Sequence, residues 1–237
     1  MTVCIAAMAE GGKKVVLASD RMITASFPIP YEFETDDVPK VYRLDRATIA
    51  MSAGNALSAY EIIERAKAQI ASQQISKVEQ IAETVRRSYQ DCRRGRAVEQ
   101  LLEPRGLTLE SYYNIQQKLV LGVVQDVESK LTSFNLKVEL ILAGCEEKGE
   151  CHIFTISHPG VSLLHDAVGY VSIGSGAPQE MYYFMGSEYK KGLPVERVEE
   201  MVREAKKKSE VAPGVGKQTE LIIIPPKEVA SVTQPRQ

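Results

Sequence analysis

The sequence lacks the features of a membrane protein, a nucleic-acid binder or a metalloprotein. No apolar run among its 237 residues approaches the length needed to cross a bilayer. A net charge of −2 gives no basic surface for nucleic acid or an anionic membrane. Its three histidines, His152, His158 and His165, have no metal-ligand arrangement, and no glycine-rich stretch fits a phosphate loop. We therefore expect no metal, no cofactor and no nucleic-acid or membrane partner.

Cysteine is scarce, and its spacing does not fit a zinc knuckle. Cys4 and Cys92 stand alone, while Cys145 and Cys151 frame the stretch "CEEKGEC" without a close CxxC pair. Two buried thiols are the expected state of that pair, with a cross-strand disulfide as the alternative. The N-terminus also has no charged and apolar regions of a signal peptide, so the sequence predicts a cytoplasmic protein.

Apolar spacing divides the chain into blocks of strands and blocks of helices. Strand spacing predicts hairpins over 2–19 and 40–54, separated by a long loop rich in proline and acidic residues. The elements predicted next are helices at 55–72, 76–102 and about 108–133, strands at 136–144, 151–157, 160–166 and 169–176, helices at 177–190 and 194–209, and a strand at 217–224. Because strands come in runs, the sequence predicts antiparallel sheets with helices on their faces, in one α+β domain of three or four layers.

Two helix ends carry local signals. Ser76 and Glu79 have the spacing of a capping box, which predicts the start of the second helix. The basic run "EAKKKSE" near the end of the last helix is interpreted as solvated, since the helix dipole favours lysine there. The polar tail, 227–237, is expected to be loose.

Thr2 directly follows Met1 and begins the first predicted strand. The small side chain of threonine permits removal of Met1, and the freed α-amine can then act as the base for the threonine hydroxyl. A nearby lysine ammonium would lower the pKa of this amine by charge repulsion. Asp20 ends the second predicted strand and Lys40 starts the third, while Gly54 stands at a strand-to-helix junction whose free N–H groups can face an oxyanion.

The order and spacing of these residues resemble the β-type subunits of the proteasome and their bacterial relatives, which are N-terminal nucleophile (Ntn) hydrolases. The stretch "SDRMITA" is similar to the family's "ADxRAT", "KVYRL" carries the lysine, and "SAGNALSA" carries the glycine. Further along, "AGCEEKGECHIFTISHPG" is similar to "GGxDxxxGxxLYxxDPxG", and "SIGSGAP" is similar to the family's "GSG" segment. The resemblance covers most of the chain.

The resemblance implies a four-layer αββα sandwich of two antiparallel sheets, the Ntn-hydrolase fold, as one domain over 1–237 with a helical insertion at about 97–133. It implies a threonine-type peptide hydrolase that works in a ring of identical chains on unfolded peptide or protein, with an unfoldase as a candidate partner. The implied catalytic residues are Thr2, Asp20, Lys40, Gly54, Ser175 and Glu210, and the implied substrate-binding residues are Ile23, Thr24, Ser52 and Ala56.

One segment departs from the family pattern. The family has Asp-x-x-Ser-Gly after its last long helix, whereas this chain reads "SEVAPGVG", which aligns Glu210 with the aspartate and Pro213 with the serine. Glutamate can replace aspartate, but proline supplies no hydroxyl to support the amine. Two alternatives therefore stay open, a non-catalytic ring or scaffold subunit and an Ntn amidase that acts on a small molecule.

Overall fold

The structure, a computed structural model, describes residues 2–25, 31–35, 38–147 and 149–226, with the backbone only at Thr24, Ala25 and Tyr31. Its strands are β1 (Val3–Ala9), β2 (Lys14–Asp20), β3 (Met22–Ala25), β4 (Tyr31–Glu34), β5 (Val41–Arg43), β6 (Thr48–Gly54), β7 (Val138–Cys145), β8 (Cys151–Ser157), β9 (Val161–Leu164), β10 (Tyr170–Gly174) and β11 (Thr219–Ile224). Its α-helices are α1 (Ala56–Gln73), α2 (Val78–Leu101), α3 (Leu109–Ile115), α4 (Leu121–Ser133), α5 (Ala177–Gly186) and α6 (Val195–Ser209). Within the ranges described, every helix falls short of the length and apolar character of a bilayer span. The predicted loose tail lies outside these ranges.

Two antiparallel sheets form the centre of the molecule. The four-stranded sheet has the order β10-β1-β2-β11, and the five-stranded sheet has the order β5-β6-β7-β8-β9. Each strand runs antiparallel to its neighbours. The predicted α+β class with antiparallel sheets is therefore confirmed.

Helices cover the outer faces of both sheets. Even-numbered residues of β1 pack in a cluster with residues of the five-stranded sheet, whereas odd-numbered residues pack against α5 and α6. Helices α1 and α2 bury their apolar stripes on the opposite side of the five-stranded sheet. This arrangement is compatible with the predicted sandwich, and it directs the even-numbered side chains of β1 toward the five-stranded sheet.

The segment predicted as a long loop contains a hairpin. Strands β3 and β4 pair with each other, with Ile23 opposite Phe33. Each strand is only four residues long, and the prolines in the sequence between the two strands favour a loop. Pairing of two short strands overrides that local signal, so the loop prediction was wrong over these eight residues.

Three predicted helices differ from the observed ones, and one of them, predicted over 177–190, ends at Gly186. Helix α2 begins after Lys77 without a side-chain cap, and the backbone N–H of Val78 instead donates to Glu146 Oε1 at 2.7 Å. A carboxylate from the end of β7 thus replaces the predicted capping box. The stretch predicted as one helix over about 108–133 is divided into α3 and α4 by a 3₁₀ turn at Gln116–Lys118.

The segment that contains α3 and α4 packs on α2 through a small apolar cluster of its own. Leu102, Tyr112 and Val127 are the buried members of this cluster. At the C-terminal end of α4, Arg93 of α2 donates to the carbonyl oxygens of Leu131, Thr132 and Phe134. These bonds satisfy carbonyls that a helix end leaves unpaired. They fix the point at which the chain leaves α4 toward β7.

The expectation of two thiols at Cys145 and Cys151 was wrong. The two residues lie opposite each other in the β7–β8 ladder and form a disulfide. Cross-strand pairing brings their side chains onto the same face of the sheet, which the sequence spacing alone did not decide. Cys4 and Cys92 are free and buried.

Candidate active site

Three polar side chains meet in the interior at the start of β1. Thr2 immediately precedes β1, Asp20 ends β2, and Lys40 immediately precedes β5. Because Cys4 lies opposite Ser19 in the β1–β2 hairpin, the register brings Asp20 beside the beginning of β1. The relative exposures of Thr2, Asp20 and Lys40 are 2%, 0% and 8%. Charged side chains are rarely so deeply buried unless they are paired.

Each of these three side chains contacts the other two. Thr2 Oγ1 donates a hydrogen bond to Asp20 Oδ1 and accepts one from Lys40 Nζ. Lys40 Nζ also donates to Asp20 Oδ1 at 2.8 Å, which makes a buried ion pair. The threonine hydroxyl is thereby oriented by an acceptor on one side and a cation on the other.

Backbone N–H groups hold the carboxylate of Asp20 from three directions. The amide of Val3 donates to Oδ1 at 2.9 Å, and the amides of Met22 and Gly216 donate to Oδ2 at 3.0 and 2.9 Å. Burial would raise the pKa of Asp20, but the charge of Lys40 and the hydrogen bonds from Lys40, Thr2 and Gly216 together lower it. Asp20 is therefore an anion that keeps the ammonium of Lys40 in place.

Lys206 supports Asp20 indirectly, through the backbone of the loop after α6. Its relative exposure is 1%. Lys206 Nζ donates to the carbonyls of Gly216 and Lys217 at 2.6 and 2.9 Å, and to Glu210 Oε1 at 2.7 Å. A Cβ at Gly216 would collide with Glu34 Oε1 and lie 3.0 Å from Met22 Cβ, so a side chain there would displace the carboxylate of Glu34. The interpretation of the basic run as wholly solvated was therefore wrong at Lys206.

We expect Lys206→Met to destabilise the protein by about 3 kcal/mol or more, because the change leaves buried acceptors without their donor. The position of Asp20 should be disturbed as well, because the carbonyl of Gly216, whose amide holds Asp20, loses its bond from Lys206. Urea unfolding of the variant measures the first effect. Lys207→Met is the matched control, because Lys207 is exposed on the same helix. Equal stability of both variants would contradict the role given to Lys206.

Ser175 links Thr2 to the loop after α6. Its hydroxyl lies 3.3 Å from the carbonyl oxygen of Thr2 and 3.2 Å from that of Pro213. Pro213 thus takes part through its carbonyl group, although it has no hydroxyl. Glu210 belongs to the same segment, which differs from the family pattern. It is the C-cap residue of α6 and forms an ion pair with Lys206.

A cavity of about 500 Å³ opens beside Thr2. Its lining residues are Thr2, Ala53, Gly54, Asn135, Lys137, Val138, Glu139, Ser157, His158, Gly174 and Ser175. Gly54 has a φ of +98°, and a Cβ there would collide with the carbonyl oxygen of Lys137. Only glycine therefore allows β6 to turn into α1 at this wall of the cavity.

Three of the residues assigned to substrate binding, Ile23, Ser52 and Ala56, do not line this cavity. Ile23 and Thr24 are in β3, and the side chain of Thr24 lies outside the described part of the chain. Ser52 is buried in β6, where its amide donates to the carbonyl of Lys40 at 2.9 Å. Ala56 is the first residue of α1. The structure brings Ser52 close to Lys40, and the contacts of Ile23 and Ala56 in the described ranges do not include Thr2.

Sequence reasoning missed a buried carboxyl group near the site. Glu180 of α5 is fully buried, with one oxygen bonded to the hydroxyl of Ser172 and the other 3.5 Å from Ser209 Oγ. Burial, opposed by hydrogen bonds from both serines, raises the pKa of Glu180 to about 8. The available signal was Phe184, which lies one helical turn after Glu180 and is the other buried residue of α5.

The raised pKa of Glu180 predicts a pH-dependent stability. The unfolded chain loses this proton near pH 4.5 and the folded protein near pH 8, so ionisation destabilises the folded state between these values. The free energy of unfolding should fall by up to about 1.4 kcal/mol per pH unit across this window. In Glu180→Gln this component is absent. Glu188→Gln, an exposed control near the same helix, should keep it, and parallel pH profiles for wild type and Glu180→Gln would contradict the assignment.

Comparison with known proteins does not assign this site. No protein-family model matches the sequence, and no curated protein matches it. Among the described residues, no group of three metal-ligating side chains is arranged to hold an ion. The chemistry available at the site is that of a threonine hydroxyl between a carboxylate and an ammonium.

Proposed function

We propose that this chain is a threonine-type peptide hydrolase whose nucleophile is Thr2 after removal of Met1. The observation that carries the proposal is the mutual contact of Thr2 Oγ1, Asp20 Oδ1 and Lys40 Nζ. A buried ion pair contributes little to stability by itself, because desolvation offsets the attraction between the charges. An ion pair built around a hydroxyl at the edge of a cavity is better explained by chemistry than by folding.

In the proposed reaction, Thr2 Oγ attacks the scissile carbonyl carbon while its proton passes to the α-amine of the same residue. The oxyanion that forms is stabilised by the N–H of Gly54. The ammonium then returns the proton to the leaving nitrogen as the carbon–nitrogen bond breaks, and an ester on Thr2 remains. Water hydrolyses this ester and restores the hydroxyl. Lys40 stabilises negative charge on Oγ and lowers the pKa of the amine, and Asp20 orients Lys40.

The fold and assembly proposed for the chain follow the same resemblance. The α+β sandwich is proposed to be the Ntn-hydrolase fold of proteasome β-type subunits. The protein is proposed to work in the cytoplasm. Identical chains are proposed to close into a ring, since cyclic symmetry is common among assemblies made of one kind of chain. Such a ring would admit unfolded peptide or protein and exclude folded proteins, with an unfoldase as the partner that supplies the substrate.

One observation favours the second candidate, a non-catalytic ring or scaffold subunit. Glu210 forms an ion pair with Lys206, and Pro213 offers only its carbonyl oxygen, to the hydroxyl of Ser175. The two positions that support the amine in the family therefore have other partners in this chain. In this second reading, the fold and the ring are retained, and the threonine does not turn over peptides.

A panel of short fluorogenic peptides tests the proposal, with the reaction followed from the first turnover. Accumulation of an ester on Thr2 predicts an initial burst of product, followed by a slower steady rate. Light scattering on the same sample gives the oligomeric state. A ring without hydrolysis would replace the proposal with the scaffold subunit. A monomer that cleaves small amides but no peptide would replace it with the amidase.

A further inference from the structure

Lys137 has a backbone conformation that a lysine side chain disfavours. Its φ is +56°, in the left-handed region that glycine and asparagine occupy more readily. Neighbouring groups fix this conformation. The amide of Lys137 donates to Asn135 Oδ1 at 2.7 Å, and its carbonyl accepts from the amide of Asn55 at 2.8 Å. Non-glycine residues in such conformations cluster at functional sites, which directs attention to what the side chain of Lys137 does.

The lysine stands at the junction of two grooves. One is the cavity beside Thr2, and the other is a groove of about 440 Å³ between the start of α1 and the end of α2. Asn135 and Lys137 line both of them, so the two grooves adjoin at these residues, and together they are called the path below. The second groove is also lined by Leu57, Arg96 and Phe134. A substrate longer than the cavity would therefore pass Lys137.

The ammonium of Lys137 is available for a ligand. Lys137 is exposed, and it forms no ion pair with any residue of the described ranges. Arg96, the other cation of the path, already pairs with Glu61 and Glu99. Glu139 lines the same cavity, and its carboxylate accepts a hydrogen bond from the amide of Gly174 at 3.0 Å. Lys137 is thus the group in this path best suited to bind an anion.

We propose that Lys137 binds a carboxylate of the substrate on the leaving-group side of the scissile bond. This inference rests on the proposed function, because it takes Thr2 as the point of cleavage. Ile23, Ser52 and Ala56, which the resemblance assigns to substrate binding, do not line the cavity, so the cavity and Lys137 are placed on the opposite side of the scissile bond. The carboxylate is either the C-terminus of a short peptide or an acidic side chain, since both present the same planar anion to an ammonium.

Three peptides that differ only after the scissile bond separate these sources. One ends in a free carboxylate with neutral side chains, one ends in an amide and carries glutamate, and one ends in an amide and is neutral. Lys137→Gly should lower kcat/KM about 10-fold for one or both of the acidic peptides and leave the neutral peptide unchanged. Lys137→Arg should retain most of the preference. The acidic peptide whose kcat/KM falls in Lys137→Gly identifies the source of the carboxylate.

The glycine variant also controls for misfolding. Because glycine adopts a positive φ without strain, Lys137→Gly should unfold at the same temperature as wild type or higher. Gln74→Gly is the matched control, since Gln74 has a φ of +51° at the end of α1 and does not line either groove. It should give the same stability effect and no change in kinetics. An equal loss for all three peptides, or no loss for any, would overturn the role of Lys137.

A binding measurement separates this proposal from the function on which it rests. In the Thr2→Ala background, the affinities of the same three peptides with fluorescent labels are measured with and without Lys137→Gly. The acidic peptides should lose about 10-fold in affinity and the neutral peptide should not. If wild type cleaves none of the peptides, the proposed function fails, and the affinities alone decide whether Lys137 binds a carboxylate.

Discussion

Thr2→Ala is expected to abolish peptide hydrolysis, with a loss of about 10⁴-fold or more. Alanine is also small enough to permit removal of Met1, so the variant keeps the α-amine and loses only the hydroxyl and a methyl group. Lys40 and Asp20 still form their ion pair, which keeps the change in stability small. Steady-state hydrolysis of the fluorogenic peptides measures the effect.

Thr2→Ser is the matched control for this substitution. Serine keeps the hydroxyl between Asp20 and Lys40, and it should therefore retain activity within about 100-fold of wild type. A Thr2→Ala variant that retains the wild-type rate would refute the assignment of the nucleophile. Loss of activity in both variants with intact folding would show that the methyl group, and not the hydroxyl alone, is required.

The second large effect is expected at Lys40. Lys40→Met leaves the carboxylate of Asp20 buried without its cation, which should destabilise the protein by about 3–5 kcal/mol and abolish hydrolysis. The loss of stability caused by Lys40→Met should become smaller as the pH falls. In wild type, the lowered pKa of Asp20 contributes stability that is lost as the pH drops through the folded pKa, whereas in Lys40→Met burial raises this pKa and favours the neutral acid.

A double variant separates stability from chemistry at this pair. Lys40→Met combined with Asp20→Asn removes the uncompensated charge, so it should recover a large part of the lost free energy of unfolding. It should not recover hydrolysis, because no cation remains beside Thr2 Oγ1. Urea unfolding and peptide hydrolysis on the same preparations measure both quantities. Recovery of activity together with stability would show that the ion pair serves only to maintain the fold.

Local pattern was sufficient to predict most of the fold and the approach of Asp20 to Thr2. The β1–β2 hairpin follows from two apolar runs around a glycine turn, and its register carries Asp20 to Thr2. Lys40 was assigned through the resemblance, and the structure brings it into the same cluster. The catalytic role of all three stays a prediction, because contact shows proximity and orientation and not turnover.

The residues that sequence reasoning missed depend on contacts between distant segments. Lys206 lies in a basic run, and only its place on the buried side of α6 with Val202 and Ser209 distinguishes it from its exposed neighbours. Helical spacing contained that information, but a lysine inside a protein requires acceptors that the sequence does not display. Glu180 is similar, since its partners come from β10 and α6.

One measurement tests the central claim most directly. The protein is treated with an electrophile that acylates hydroxyl groups, such as a β-lactone, and the mass of its N-terminal peptide is then measured. We predict a peptide that begins at Thr2, without Met1, and carries one acyl group on the threonine side chain. The same treatment of Thr2→Ala should leave the corresponding peptide unmodified. A retained Met1, or an unmodified Thr2 in a preparation that hydrolyses peptides, would contradict the assignment of Thr2 as an N-terminal nucleophile.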